Sequence, residues 1–153
     1  MTTSINDPAN IYRPAKVSYL TDESSDFRES LSERLEKAGS NIEDFFYLIE
    51  AHEGIKNIAV KFQLSETQTI FLTCIIRDVA VAITYYGDMP KVIQEKLDVP
   101  EAIARQIAQA VTELYDFALE DIKKLQVETF RERMKQNSPT QKEGNVVNLR
   151  EKK

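Results

Sequence analysis

Cysteine, histidine and tryptophan are the scarcest side chains in this sequence of 153 residues. Cys74 is the only cysteine, His52 is the only histidine, and tryptophan is absent. A single cysteine excludes a disulfide within the chain and leaves a zinc site at most one thiolate ligand. Di-metal helical bundles take a histidine from each of two helices, so one histidine argues against a site of that kind. We therefore expect no metal and no cofactor.

Glycine and proline are also few, with four and five residues, and they stand at predicted junctions or in the tails. No glycine is left for a phosphate-binding loop or a dinucleotide-binding turn, and the nucleophile elbow of hydrolases is missing. Cys74 lies in the most apolar stretch, where a buried thiol is usually inert packing. His52 stands between Glu50 and Glu53 near the end of a predicted helix, which favours a charged imidazolium in a capping or exposed role. The sequence predicts a protein that is not an enzyme.

The chain has no excess of positive charge and no uninterrupted apolar run long enough for a membrane span. Its net charge of -5 and pI of about 5.0 work against attraction to nucleic acid or anionic lipid. The longest apolar stretch, residues 70–86, contains Arg77 and Asp78 near its centre, which favours a buried helix. The polar N-terminal segment lacks the apolar core of a signal peptide. We expect a cytoplasmic protein that binds no membrane and for which nucleic acid is a disfavoured partner.

Apolar residues recur at helical spacing through most of the chain, and glycines and capping pairs mark the ends of each run. A first amphipathic helix opens at residues 22–24 and stops at Gly39. Ser40 with Glu43 predicts a capping box at the start of a second helix. The predicted apolar face of that helix is made of Ile42, Phe45, Phe46 and Ile49. Gly54 then separates the second helix from a short third one.

Three further helices follow. Ser65 and Gln68 repeat the capping-box spacing before a fourth helix, which is apolar on more than one face and ends at Gly87. A short fifth helix comes next, and Asp98 is placed to cap the N-terminus of a sixth. The apolar positions of the sixth helix persist without a breaker, so it is predicted to extend to about Met134. The fold class that follows is all-α, a compact bundle of about five or six helices with a long C-terminal helix and flexible termini.

The chain length suits one domain, because a domain of this size buries roughly 70% of the surface of its unfolded chain. We expect a flexible N-terminal segment over residues 1–20 and a helical domain over residues 21–136. Residues 137–153 lack periodicity and are predicted to form a disordered C-terminal tail.

Residues 55–77 resemble a helix-turn-helix hairpin in spacing. The second helix of the hairpin has no Lys or Arg before Arg77, although phosphate contacts require cations near the groove. Gln68 alone could read adenine, and a capped hairpin within a core explains the same residues. A nucleic-acid-associated regulator that uses this hairpin is the alternative function.

Protein–protein contact is the leading interpretation. The long sixth helix has an apolar stripe, and a small domain can leave part of such a stripe uncovered. Val146, Val147 and Leu149 form an apolar cluster in the tail, and such clusters can dock on a partner as a strand or a helix. Tyr85 and Tyr86 are a second candidate contact, although an aromatic lid on the core explains them too. We expect a non-enzymatic interaction domain whose partner is an unknown protein or, through the sixth helix, a second copy.

The order of segments resembles a helical module of uncharacterised proteins from candidate-phyla-radiation (Patescibacteria) bacteria. The segments that carry the resemblance are IAVKFQLSETQ at residues 58–68, an apolar helix that ends at Gly87, MPKVIQEKLDVP, and AIARQIAQAVTELYDF. The module has no assigned activity and no catalytic residues. The resemblance therefore implies a helical fold and a bacterial cytoplasm, and it adds no mechanism.

Overall fold

A computed structural model describes residues 7–21 and 23–136, and every regular element in these ranges is helical. The α-helices in chain order are α1 (Ser25–Ala38), α2 (Ser40–Tyr47), α3 (Ile49–Lys61), α4 (Glu66–Ala80), α5 (Met89–Leu97), α6 (Glu101–Tyr115) and α7 (Leu119–Gln136). Helices α6 and α7 are joined by a 3-10 turn at Asp116–Ala118, so they form one long C-terminal helical segment. The predicted all-α fold is confirmed.

Helix α4 lies at the centre of the core. It packs against α5 and against the N-terminal segment, while α5 packs on α6 and α6 packs on α3. Buried side chains lie on most sides of α4, as its apolar pattern predicts. The large core side chains with essentially no exposed surface include Ile42, Phe45, Phe46, Ile55, Leu72, Ile76, Ile93, Leu97, Ile107 and Tyr115.

Two predicted helix starts are confirmed. The Ser24 hydroxyl accepts a hydrogen bond from the backbone N–H of Phe27 at 3.1 Å, and α1 begins at the next residue. Both halves of the Ser65–Gln68 capping box form, because Ser65 Oγ accepts from the backbone of Gln68 at 3.1 Å and Gln68 Oε1 accepts from the backbone of Ser65 at 2.8 Å. These caps need only residues of one helical turn, so local sequence is enough to predict them.

The predicted end of the first helix at Gly39 is confirmed, but the predicted Ser40–Glu43 capping box and the predicted helix break at Gly54 are wrong. Gly39, with φ of 103°, forms the whole junction between α1 and α2, so Ser40 is already helical and no Ser40–Glu43 capping box forms. Gly54 lies inside α3, and the break falls at Leu48 instead. A Cβ at position 54 would overlap Leu114 Cδ1 of α6. Gly54 therefore serves the close approach of α3 to α6 and does not end a helix.

Two aspartates with positive φ lie at the C-terminal ends of α5 and α6. Asp98 adopts the left-handed conformation, with φ of 55° and ψ of 55°, and closes α5 rather than capping α6, whose N-cap is Pro100. Asp116, with φ of 45°, turns the chain between α6 and α7, so the predicted unbroken sixth helix is interrupted. The turn keeps Tyr115 and Ala118 buried on either side of Asp116. The spacing of apolar residues along the sequence does not indicate this turn.

The N-terminal segment that we assigned to residues 1–20 is ordered in its described part. Two 3-10 helices, Pro8–Tyr12 and Val17–Leu20, pack against α4. The hydroxyl of Thr73 on α4 donates to the backbone carbonyl of Ile11 at 2.5 Å, and Val17 is fully buried. Residues 1–6 and the predicted tail at 137–153 lie outside the described residues.

Candidate functional site

A cleft of about 510 Å³ opens beside α4, between the segment that precedes α1 and helix α5. Cys74 and Asp78 stand one turn apart on α4, and Val92 and Lys96 stand one turn apart on α5, so each helix presents one side to the cleft. The described residues that line the cleft are Thr21, Glu23, Phe71, Cys74, Ile75, Asp78, Thr84, Val92 and Lys96. The cleft therefore combines an apolar floor with two carboxylates, a thiol and an ammonium group.

Arg77 organises the charges behind this cleft. Its guanidinium has no exposed surface and donates to Glu23 through two bonds, Nη1 to Oε1 at 3.0 Å and Nη2 to Oε2 at 2.6 Å. The Nε atom donates to Asp78 Oδ1 at 2.9 Å, and the ring of Phe27 lies 5.1 Å from the guanidinium carbon. Burying a charge is costly unless it is paired, so Arg77 ties the segment before α1 to the centre of α4.

The pKa shifts in this cluster follow from burial and from the two ion pairs. Burial alone would lower the pKa of Arg77, but the hydrogen bonds that it donates to Glu23 and the charge of Asp78 raise it above its ordinary value. Burial would raise the pKa of Glu23, and hydrogen bonds from Arg77 and Thr21 outweigh it, so this pKa is lowered. For Asp78 burial prevails over Arg77, and the pKa is raised. The cluster is therefore held together at neutral pH by a permanently charged arginine.

The chemistry available to Cys74 is restricted by its surroundings. Burial raises the pKa of the Cys74 thiol to about 12, so almost no thiolate exists at neutral pH. A reactive cysteine needs the opposite shift, a pKa lowered by a base or a helix N-terminus. Cys74 is half-buried in the wall of the cleft, and its raised pKa fits our interpretation of an unreactive thiol.

His52 differs from its predicted role. It lies near the N-terminus of α3 rather than at a helix C-terminus, and its Nε2 donates to the backbone carbonyl of Phe46 at 3.0 Å. Burial, together with the charge of Arg13, lowers the pKa of His52 despite the hydrogen bond to Phe46, which raises it. The predicted stabilisation of imidazolium is wrong, and the ring acts as a neutral donor within the α2–α3 junction.

Tyr85 and Tyr86, the predicted surface pair, are half-buried and engaged within the chain. The ring of Tyr85 lies 5.4 Å from the ring of Phe130 and 4.5 Å from the Arg133 guanidinium. The backbone N–H of Tyr86 donates to Gln126 Oε1 at 2.8 Å. These contacts fasten the segment after α4 to α7, which fits the account of the two tyrosines as an aromatic lid. Val146, Val147 and Leu149 lie outside the described residues.

The hairpin at residues 55–77 uses its polar groups internally. Besides its part in the capping box, Gln68 donates through Nε2 to the backbone carbonyl of Leu97 at 2.7 Å. Arg77, the first cation of the second hairpin helix, is buried in the ion network described above. Gln68 is therefore not free to read a base, and Arg77 is not free to contact a phosphate.

The most exposed large apolar side chains of the described residues lie on α2 and α3. Tyr47 is 59% exposed, Ile49 is 67% exposed and Val60 is 69% exposed. The pattern placed Ile49 on the buried face of the second helix, but the break at Leu48 turns it outward. We use the term α3 face for Tyr47, Ile49, Glu53, Lys56 and Val60, all of which are exposed.

The apolar stripe of the predicted sixth helix is largely covered by the chain itself. Ile107 and Val111 have no exposed surface, and Ile122 has 1%. Phe117, in the turn between α6 and α7, is the exposed member of the stripe at 44%. The long helix therefore does not present the uncovered face that its sequence suggested.

Neither a metal cluster nor a membrane span is found in residues 7–21 and 23–136. No group of three or more His, Cys, Asp or Glu side chains in these ranges could hold a metal ion. None of the helices in them is long and apolar enough to cross a membrane.

Comparison with known proteins gives no relative: no family model, no curated protein and no solved structure matches this chain. The resemblance to the bacterial helical module therefore stays a prediction.

Proposed function

We propose that this chain is a non-enzymatic helical domain that acts by binding a protein through the α3 face. The observation that supports the proposal is the exposure of Tyr47, Ile49 and Val60, which exceeds that of every other large apolar side chain in residues 7–21 and 23–136. Isolated exposed apolar residues are ordinary on a protein surface. Here, however, the three highest exposures occur together on one short helix and the residue pair that leads into it.

The spacing on α3 brings two of these side chains to one side of the helix. Ile49 and Val60 are eleven residues apart, which is about three helical turns, so their directions differ by only about 20°. Burying each of them at an interface contributes roughly 1–2 kcal/mol, since full burial of such a side chain contributes about 1.5–3 kcal/mol and both are already about one-third covered. The surface gives a partner favourable contacts that folding alone does not use.

The proposal moves the contact from the sixth helix to α3. The stripe on α6 is buried, as described above, whereas the side chains of the α3 face are exposed. Val146, Val147 and Leu149 stay candidate contacts in the tail, and a truncation that ends at Asn137 tests them separately. The alternative, a nucleic-acid regulator, loses the two hairpin residues that could have contacted DNA, Gln68 and Arg77.

The test compares the wild type with the double variant Ile49→Glu/Val60→Glu. Each is immobilised as bait, and the protein that it captures is measured, including free copies of the chain itself. The control is Val127→Glu, because Val127 is exposed on α7, away from α3, and 42% of its surface is accessible. We expect binding by the wild type and the control and its loss in the double variant. Circular dichroism should show an unchanged helix content in all three. If the double variant binds as well as the wild type, or if neither binds any protein, the proposal is wrong.

A further inference from the structure

We infer that the partner of the α3 face is the α3 face of a second copy, packed antiparallel across a two-fold axis. This inference rests on the proposed function and names its partner. A two-fold axis through the middle of α3 places each residue of this helix opposite the residue of the second copy for which the two residue numbers add up to 109. It places Ile49 opposite Val60 of the second copy and Glu53 opposite Lys56 of the second copy. Each pairing then occurs twice, as an isologous interface requires.

The spacing of these residues matches the seam that two packed helices need. Positions 49, 53, 56 and 60 are separated by four, three and four residues, which keeps them on one side of a helix. Aliphatic side chains occupy the two ends of the seam, and the two charged side chains occupy its middle. All four are exposed, and neither Glu53 nor Lys56 forms an ion pair within the described residues. Both charges are therefore available to a second copy.

The charges also select the direction of packing. In a parallel arrangement Glu53 would face Glu53 and Lys56 would face Lys56, so both central contacts would be repulsive. The antiparallel arrangement turns both contacts into attractive pairs. Like charges that face each other suppress a competing arrangement more effectively than an attractive pair raises affinity. The same four residues thus favour one orientation and disfavour the other.

A groove at the C-terminal end of α3 fits Tyr47, the member of the α3 face that lies outside the seam. Antiparallel packing brings the N-terminal end of α3, which Tyr47 precedes by two residues, beside the C-terminal end of the second copy's α3, where Phe62 lines a groove of about 390 Å³. The groove is lined by Lys61, Phe62, Arg105, Gln106, Gln109, Ala110 and Glu113. A tyrosine suits this mixture, because its ring packs on apolar and guanidinium groups while its hydroxyl meets polar ones. Each copy presents one such groove, so the dimer would fill two.

The contact is small, and this determines how it must be measured. One 13-residue helix and one tyrosine per copy fall at the low end of specific interfaces, which bury less than about 1,200 Å² in total. We therefore expect dissociation in the micromolar range, with dimer appearing as concentration rises from about 1 µM to several hundred µM. Sedimentation equilibrium of the full chain over this range gives the dissociation constant.

Charge reversal provides the decisive experiment. Glu53→Lys and Lys56→Glu each convert two attractive pairs into two repulsive ones, so each variant alone should dimerise roughly tenfold more weakly. Mixed together, the two variants should form a heterodimer, because every lysine at positions 53 and 56 then faces a glutamate. The double variant Glu53→Lys/Lys56→Glu should recover wild-type affinity to within about twofold. The effects should shrink at high salt, since exposed pairs are screened.

The control for net charge is Glu128→Lys, which makes the same charge change on an exposed position of α7 and should leave the dissociation constant unchanged. Dimerisation that persists in both single variants, or a mixture that forms no heterodimer, would overturn the antiparallel pairing. A wild type that stays monomeric at all concentrations would overturn the inference as well. If another protein is still captured through Ile49 and Val60, the proposed function survives that result. If no protein is captured, both fail.

Discussion

The substitution Gln126→Leu tests how the segment after α4 is fastened to α7. Gln126 is 1% exposed and its side chain makes three hydrogen bonds. Nε2 donates to the backbone carbonyls of Val79 and Thr84, each at 2.9 Å, and Oε1 accepts from the backbone N–H of Tyr86 at 2.8 Å. Leucine has nearly the volume of glutamine and none of its polar atoms. The substitution therefore removes the bonds without leaving a large cavity.

The expected loss follows from which backbone groups keep a partner. The Val79 carbonyl still accepts from the N–H of Ala82 at 3.2 Å, whereas no second bond is seen for the Thr84 carbonyl or the Tyr86 N–H within the described residues. An unsatisfied buried polar group costs about 1–3 kcal/mol, and the low end applies because Thr84 and Tyr86 are only half-buried. We expect the free energy of unfolding to fall by about 2–3 kcal/mol. For a chain of this length that lowers Tm by about 4–12 °C.

Urea denaturation followed by far-UV circular dichroism measures this difference at a protein concentration low enough to keep the chain monomeric. The matched control is Gln109→Leu on α6, which removes an exposed hydrogen bond of 3.2 Å to Glu113. Surface changes of this kind stay within about 0.5 kcal/mol of the wild type. If the loss of unfolding free energy in Gln126→Leu is as small as the loss in the control, the three hydrogen bonds do not hold this segment. That result would refute the reasoning from buried polar groups.

Three further predictions concern the core and the cleft. Glu23→Gln should lower the free energy of unfolding by about 1–2 kcal/mol, less than for a fully buried pair, because Glu23 is partly exposed and Asp78 still faces Arg77. Since the pKa of Glu23 is lowered, the part of this advantage that depends on its charge should be full above pH 4.5 in urea titrations and should be lost as the pH falls through the lowered pKa. Gly54→Ala should change the free energy of unfolding by no more than about 1 kcal/mol, because the higher helix propensity of alanine offsets the displacement of the Leu114 side chain. With Leu114→Ala the overlap is gone, so Gly54→Ala should then stabilise by about 0.5–1 kcal/mol, a coupling that a double-mutant cycle detects. Cys74 should react with iodoacetamide far more slowly in the folded chain than in urea, because its pKa is raised to about 12; equal rates would contradict the burial.

The parts of the fold that local sequence could predict are those in which one helical turn contains all the interacting atoms. The Ser65–Gln68 capping box is the best case, since both partners lie three residues apart. Gly54 and Asp116 show the opposite situation. Gly54 looks like a helix end, but it is required by a side chain on α6 sixty residues away. Asp116 carries no signal of a turn, and packing on both sides of it bends the chain.

The candidate sites were harder to predict for the same reason. Arg77 and Asp78 stand out as charges in an apolar stretch, and that signal correctly argued for burial within a protein core. It could not identify Glu23, which lies 54 residues away and accepts two of the three hydrogen bonds that Arg77 donates. A charged residue at the centre of an apolar helix is thus a sign of a buried pair, although its partner has to be found in the structure.

The break at Leu48 links the fold to the proposed contact. In one continuous helix Ile49 would lie on the same side as Ile42 and Phe45, because they would be seven and four residues apart, and it would enter the core with them. The chain instead turns at Leu48, with φ of -76° and ψ of 126°, and the carbonyl of Phe46 accepts from the ring of His52. The only histidine therefore satisfies a backbone group beside the break. The same break moves Ile49 from the core to the α3 face, where about three turns of helix carry the side chains that we propose meet a second copy.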